Sequence, residues 1–509
     1  MARQSGSRTS DAVTSWTAQE RRSEGRGRFA MVLHCHMPYV EGFGTWPFGE
    51  EWLWEAVACV YLPLLRTLRG RAITLVVSPV LADQLETLSG AAGDRFLAFL
   101  RETRAPLHSR AARSHASVRD ARSRTEIERA AADYAQAEAD FVRLGGDLVG
   151  ALAELEANGA ELWTSAATHA ILPLLRTREG LELQVAEGIR AHERRFGSWS
   201  GGFWLPECAY DPALASALAD HGVKTFCVDA ASVQGSEPLD DLEPIASAAD
   251  STAVPIDREL SRLVWNDRSS YPYAAAYRDY QRATGEAIHL WRNDGEPYSR
   301  AQATLQARDD AADFAARVAA KLDRHRAERG RPALACVAID AEVLGHWWYE
   351  GQDWISAVFG ELAARGVETC TLTEAVRQVE PAARALVASS WGSNHDLSVW
   401  DSPRVADLRR DAERAEHELT GADARLAARW SAERRGALLR AARELLALQA
   451  SDWPYLITHA SAGSYPDERF NGHAGAFAAA MQAVRGLAPA PAAAMRNLAP
   501  FLDIGLYTK

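Results

Sequence analysis

Short apolar runs, each halted by a cluster of polar or aromatic residues, set the rhythm of this chain. Residues 29–33 form the first and stop at His34-Cys35-His36-Met37-Pro38. Residues 72–77, 161–164, 202–205, 225–228, 333–339 and 367–372 follow, and 263–265 resumes the same pattern. Runs this short, apolar throughout, read as strands buried on both faces of a parallel sheet. The segments between them carry apolar residues three and four apart, which predicts helices over 51–69, 212–221, 309–326 and 354–365.

Two stretches break the alternation. Residues 81–159 are dominated by Ala, Arg, Glu and Leu, with no β-branched run, and predict several helices in succession. A long insertion after an early strand reads as a helical subdomain that walls a site. Its charged part, 110–129, reads as a solvated face. Residues 405–451 are again helical by composition, and Asp452-Trp453-Pro454-Tyr455 interrupts them. Residues 231–256, rich in Ser, Asp, Glu, Pro and Ala, read as one long loop. Residues 488–493 form an Ala/Pro linker.

Chemistry concentrates where strands stop. Residues 201–210 read Gly-Gly-Phe-Trp-Leu-Pro-Glu-Cys-Ala-Tyr. Pro206 removes a backbone donor and pushes Leu205 toward extended geometry, so Glu207 becomes the exposed tip of a strand. The plain alternative is a glutamate opening a helix while nearby aromatics pack the core. The run 333–339 ends in the same way, at Asp340, before Glu342 and Gly345-His346-Trp347-Trp348-Tyr349. Glycoside cleavage needs two carboxyl groups flanking one bond. The rim of a parallel barrel can bring such distant strand ends together. In an extended chain His34 and His36 share one face, with Cys35 on the other.

Composition narrows the partners. The 509 residues suffice for two or three domains with a large core. Apolar residues make up 47% and charged residues 24%, ordinary values for a globular protein. A formal charge of −12 argues against nucleic acid and anionic membrane as partners. No apolar run is long enough to span a bilayer. Residues 1–28 are rich in Ser, Arg, Thr and Gly and read as a disordered tail, not a signal peptide. None of the six cysteines forms a Cys-x-x-Cys pair, which suits reduced thiols in a cytoplasmic protein.

Phe-Trp-Leu-Pro-Glu-Cys-Ala-Tyr and Ile-Asp-Ala-Glu-Val-Leu-Gly-His-Trp-Trp-Tyr-Glu-Gly resemble motifs of glycoside hydrolase family 57, and within it the 1,4-α-glucan branching enzymes. The resemblance spans nearly the whole chain after residue 28. It implies an α/β fold: an incomplete (β/α)7-type parallel barrel over 29–385 with the helical insertion, then a C-terminal all-helical domain over 386–509. It implies Glu207 as nucleophile and Asp340 as general acid/base, acting on an α-1,4-glucan and requiring no cofactor and no metal. His34 and His36 correspond to the family's first motif and His169 to its second. Trp265 matches a stacking position, and Ser389–Trp400 resembles the fifth motif, with Trp391 and Trp400 as subsite platforms. His346 and Trp347 belong to the Asp340 motif and Trp204 to the Glu207 motif. Asp452 and Trp453, like the segment 46–55, match the branching subgroup.

Three positions depart from the branching pattern. Residues 231–256 contain no Tyr where the family carries one over the cleft. Ser270-Tyr271-Pro272-Tyr273-Ala274 replaces Gly-Tyr-Pro-Gly-Asp, and Ile256-Asp257 replaces an Arg-Asp pair. They imply hydrolysis alongside transfer, as in an α-amylase-like hydrolase or a 4-α-glucanotransferase. Two rival classes remain: a metal-dependent polysaccharide deacetylase with His34 and His36 as ligands, and a non-catalytic glycan-binding protein. The first leaves Glu207 and Asp340 without a paired role. The second leaves both carboxylates unexplained.

Overall fold

The computed structural model describes residues 27–44, 48–115, 121–235, 237, 239–265, 268–285, 287–422, 430–489 and 497–503. Most of the expected tail therefore lies outside the described residues, as do Trp46 and residues 490–493 of the expected linker. Arg28 is already in the first strand.

The chain forms β1 (Arg28–Cys35), β2 (Thr74–Val77), β3 (Glu161–Ser165), β4 (Gly202–Trp204), β5 (Thr225–Asp229), β6 (Ile245–Ala246), β7 (Thr252–Ile256), β8 (Leu334–Asp340) and β9 (Glu368–Cys370). All make one sheet in the order β6-β7-β5-β4-β3-β2-β1-β8, with β9 alongside the start of β1. Every pairing is parallel except β6 with β7. The sheet curls until the Asp257 amide, just after β7, donates to the Cys336 carbonyl of β8 at 2.7 Å. This is the incomplete barrel implied by the resemblance.

Two expectations fail locally. Residues 231–256 are not one loop, because they hold β6 and β7. Pro255 inside β7 reads as an interruption, yet it aligns with Val228 in the parallel ladder. Residues 263–265 are not a strand. The Asp257 carboxylate accepts from the Leu260 amide and opens the helix Arg258–Arg262, and the chain leaves that helix in a turn.

Alternation along the strands sorts two cores. Phe29, Met31, Leu33 and Cys35 of β1 pack outward under the helices. Ala30 and Val32 point into the barrel with Trp163, Trp204, Cys227, Cys336 and Ala338. Gly202 makes room there, since a Cβ would sit 2.0 Å from Trp163 Nε1. Helices Ala91–Ala98, Ala105–Ser114 and Ala121–Arg143 fill the insertion. The C-terminal helices Ala406–Thr420, Ala432–Leu448 and Tyr465–Val484 share a separate core that takes in Ala167 and Leu183 of the barrel. Asp452–His459 is itself a helix and not a break, because Pro454 falls in its first turn, where no intrahelical donor is needed.

Candidate active site

Strands β1, β3, β4 and β8 deliver their C-terminal ends to one rim. At the β4 exit the chain turns sharply: Glu207 has φ 59° and Cys208 φ 49°. Such left-handed geometry costs a non-glycine residue about 1–3 kcal/mol and is stored where surrounding structure enforces it. Of eight non-glycine residues with positive φ among the described residues, His169, Glu207, Cys208 and His395 belong to the rim and its flanking loop. Trp391 supplies the enforcement. Its amide donates to the Glu207 carbonyl at 3.0 Å, and its indole Nε1–H donates to Oε2 at 2.6 Å. Glu207 is thus half-buried rather than an exposed tip.

Asp340 ends β8 with relaxed backbone, φ −67° and ψ 130°. Its Oδ1 lies 3.0 Å from His34 Nδ1. The His34 ring stacks on His169 at 4.8 Å and on Trp204 at 5.1 Å, and His169 stacks on His36 at 4.1 Å. His169 Nδ1 is 3.9 Å from Glu207 Oε1. Three imidazoles therefore connect the two carboxylates across the rim, as the shared face of His34 and His36 predicts.

The C-terminal helices close this stack. Ser451 Oγ bonds His169 Nδ1 at 2.8 Å, and Asp452 accepts from His36 Nε2 at 3.1 Å. His36 Nδ1 lies 2.9 Å from Ser78 Oγ, so both of its ring nitrogens have protein partners. Burial pulls His36 down, but Asp452, Glu342 and Glu207 outweigh it and the net shift is upward. Burial and the neighbouring His36 hold His34 well below its ordinary value, so a neutral ring faces Asp340.

Burial and the Asp340 charge push Glu207 up to about 8, against the stabilising N–H of Trp391. Burial pushes Asp340 up to about 7, opposed by His36. Both carboxyls are therefore pushed upward toward neutral pH, each chiefly by burial. The indole hydrogen bond of Trp391 favours the ionised form of Glu207 and opposes that rise.

Not every aromatic candidate lines the cleft. Trp204, Trp400 and Trp453 are 0, 2 and 1% exposed, so protein covers the faces that a sugar would need. Trp204 supports His34 from below, and Trp453 donates to the Ala447 carbonyl. His34 and His169 are also buried, within the stack. Trp265, Trp391 and Trp347 do present surface, and the Trp265 and Trp391 rings lie 5.6 Å apart. His346 is half-buried, edge-on to Trp347 at 5.0 Å.

Three contributors escaped the sequence reading. Glu342 accepts from the Tyr61 hydroxyl at 2.6 Å and the His36 amide at 3.2 Å. Tyr455 is 44% exposed one helical turn from Asp452, and burial together with the charges of Glu207 and Asp340 pushes its hydroxyl up to about 12. Its helical spacing from Asp452 was the available signal. Arg258 pairs with Asp229 at the β5 exit and with His395, which ties down the loop carrying Trp391. A guanidinium is therefore present one residue after Asp257, where the Ile256-Asp257 departure suggested none.

A parallel half-barrel whose rim gathers two raised-pKa carboxyls among imidazoles and open indoles is the architecture of a glycoside-processing enzyme. The chain belongs to glycosyl hydrolase family 57, whose signature matches residues 30–388, while that of "1,4-alpha-glucan branching enzyme, C-terminal" matches 412–499. It is 34% identical to a probable 1,4-alpha-glucan branching enzyme of Mycobacterium tuberculosis over 94% of this chain and 95% of that protein. It is 31% identical to a 1,4-alpha-glucan branching enzyme of Thermococcus kodakarensis, covering 87% of this chain and 72% of the relative. The crystal structure of a GH57-type branching enzyme from Pyrococcus horikoshii superimposes with TM-score 0.87 at 27% identity, covering 95% of this chain and 97% of that one. The α-amylase AmyC of Thermotoga maritima shares the fold, with TM-score 0.82 at 22% identity over 95% and 99% of the two chains.

Proposed function

We propose that this protein is a 1,4-α-glucan branching enzyme, a retaining transglycosylase. Glu207 attacks the anomeric carbon as the C1–O4 bond breaks, and Asp340 gives its proton to the departing O4. A glycosyl ester on Glu207 results. A glucan 6-hydroxyl then attacks C1, its proton returns to Asp340, the ester bond to Glu207 breaks, and an α-1,6 branch forms. His34, His36, His169 and Asp452 hold the two carboxyls in place, and Trp265, Trp391, His346 and Trp347 meet the sugar rings.

One observation carries this reading: two strand-end carboxyls linked through a histidine stack that Ser451 and Asp452 of the C-terminal region complete. Full-length similarity to branching enzymes supports it. Six free, unpaired cysteines suit a role in cytoplasmic glycogen-type synthesis. Water competes with the 6-hydroxyl for the ester, and the Tyr-free segment 231–256 favours a measurable hydrolytic share. Incubation with amylose tests the proposal: new α-1,6 linkages should outnumber new reducing ends. Reducing ends without branches would make it a hydrolase.

A further inference from the structure

The ladder between β1 and β8 stops where the chemistry begins. Its last backbone pair is His34 with Asp340, whose side chains meet at 3.0 Å. The chain then leaves β8 in the short turn Ala341–Val343. Two residues beyond the last pair, the same register would set Glu342 opposite His36. There a side chain takes over from the backbone: Glu342 Oε1 accepts the His36 amide at 3.2 Å.

The same oxygen accepts the Tyr61 hydroxyl at 2.6 Å, and Tyr61 is 7% exposed. Tyr61 ends a π-helical turn, Val57–Tyr61, set inside an otherwise α-helical run over 50–67. Pro63 supplies a local reason. It has no N–H to offer the Cys59 carbonyl four residues back, and the Leu62 amide reaches five residues back to Val57. The loop after Glu342 packs on this turn. Gly345 has φ 119°, and a Cβ there would lie 2.1 Å from the Cys59 carbonyl oxygen. Such π turns concentrate at functional sites.

Three distant segments thus converge on one carboxylate oxygen beside Asp340. Burial and the Asp340 charge push Glu342 up to about 7, while the Tyr61 hydroxyl opposes the rise. Asp452 and then Glu342 raise His36 against its own burial. Asp340 itself has one side-chain hydrogen bond, to His34, so the turn beneath it decides where its carboxyl points.

We infer that Glu342, held by Tyr61, is the positioning residue of the acid/base: it ties the turn that carries Asp340 to the end of β1. The inference rests on the role proposed above for Asp340. Both groups that Glu342 Oε1 accepts from belong to the protein, which separates it from a group that touches sugar. A misplacement of about 1 Å in a reacting group costs on the order of 10²-fold in rate.

Amylose and an α-maltosyl fluoride donor together separate this role from general support of the fold. Cleavage of amylose needs the Asp340 proton. The fluoride donor needs none: the C1–F bond breaks, fluoride departs with the electron pair, and the Glu207–C1 bond forms. Glu342→Ala should lower kcat on amylose about 10- to 100-fold with little change in KM. First-turnover fluoride release should stay within about threefold of the parent. Tyr61→Phe keeps the ring and removes the donor, and should show the same pattern with a smaller loss. Glu342→Gln keeps an acceptor oxygen for both donors and should recover most of the loss. Equal losses on the two substrates in Glu342→Ala and Tyr61→Phe would overturn the inference, and so would undiminished turnover of amylose in either. Tyr61→Phe decides alone if Glu342→Ala does not fold. Asp340→Asn is the control. If it loses both substrates equally, the acid/base role fails and the inference falls with it. If it discriminates between them and the Glu342 and Tyr61 variants do not, only the inference falls.

Discussion

Glu207 and Asp340 both end a parallel strand, but the chain holds them differently. Glu207 sits in left-handed backbone geometry, anchored to Trp391 through both main chain and side chain, with its side chain 19% exposed. Asp340 keeps ordinary extended geometry, rests on one hydrogen bond to His34, and is 32% exposed. A nucleophile meets one carbon at one point, so rigid placement serves it. A group that protonates one oxygen and then deprotonates another needs some freedom. The difference in restraint thus follows the proposed difference in role.

The largest effect should come from the rigid member. Glu207→Gln should lower turnover of amylose by about 10⁴-fold or more, measured as the sum of new branches and reducing ends. Asp340→Asn should cost about 10²–10⁴-fold with glucan, yet far less with the fluoride donor, whose leaving group needs no proton. Equal losses of both variants on both donors would erase the contrast.

Trp391→Phe sharpens the comparison. It keeps a ring but removes the N–H at Glu207 Oε2, and kcat should fall about 10- to 100-fold. The lost donor favoured the ionised carboxylate, so its pKa should rise further and the acidic limb of the kcat/KM profile should move to higher pH. An unmoved limb would mean that the indole only packs.

The smallest effect is on stability. The Asp340 carboxyl is held at about 7, above its ordinary value, so the folded state favours its protonated form. That advantage is fully present below the unfolded pKa and is lost as pH rises through 7. Asn carries no such dependence. The Tm of Asp340→Asn should therefore exceed the parent's at pH 8 by more than it does at pH 4. A difference independent of pH would contradict the assigned shift.

Much of the barrel was legible, because β1, β4, β5 and β8 are apolar runs ending in punctuating residues. β7 was hidden by Pro255, and the helix at Arg258 by an Asp257 cap that only its Leu260 contact reveals. Glu207 and Asp340 stood out because each follows its strand directly. The burial of Trp204, Trp400 and Trp453 was not legible, since a tryptophan in a motif looks the same facing a sugar or a core. Tyr455 and Glu342 were missed because their relevance comes from a neighbour distant in sequence: the carboxyl pair for one, Tyr61 and the His36 amide for the other.

The central claim is that the side chain of Glu207 carries the sugar between donor and acceptor. Trapping with a 5-fluoro-α-glucosyl fluoride, followed by peptide mass spectrometry, tests it. A single glycosyl mass should appear on the peptide containing Glu207, and Glu207→Gln should remove it. A label on another residue, or sustained turnover with no label at all, would contradict the account.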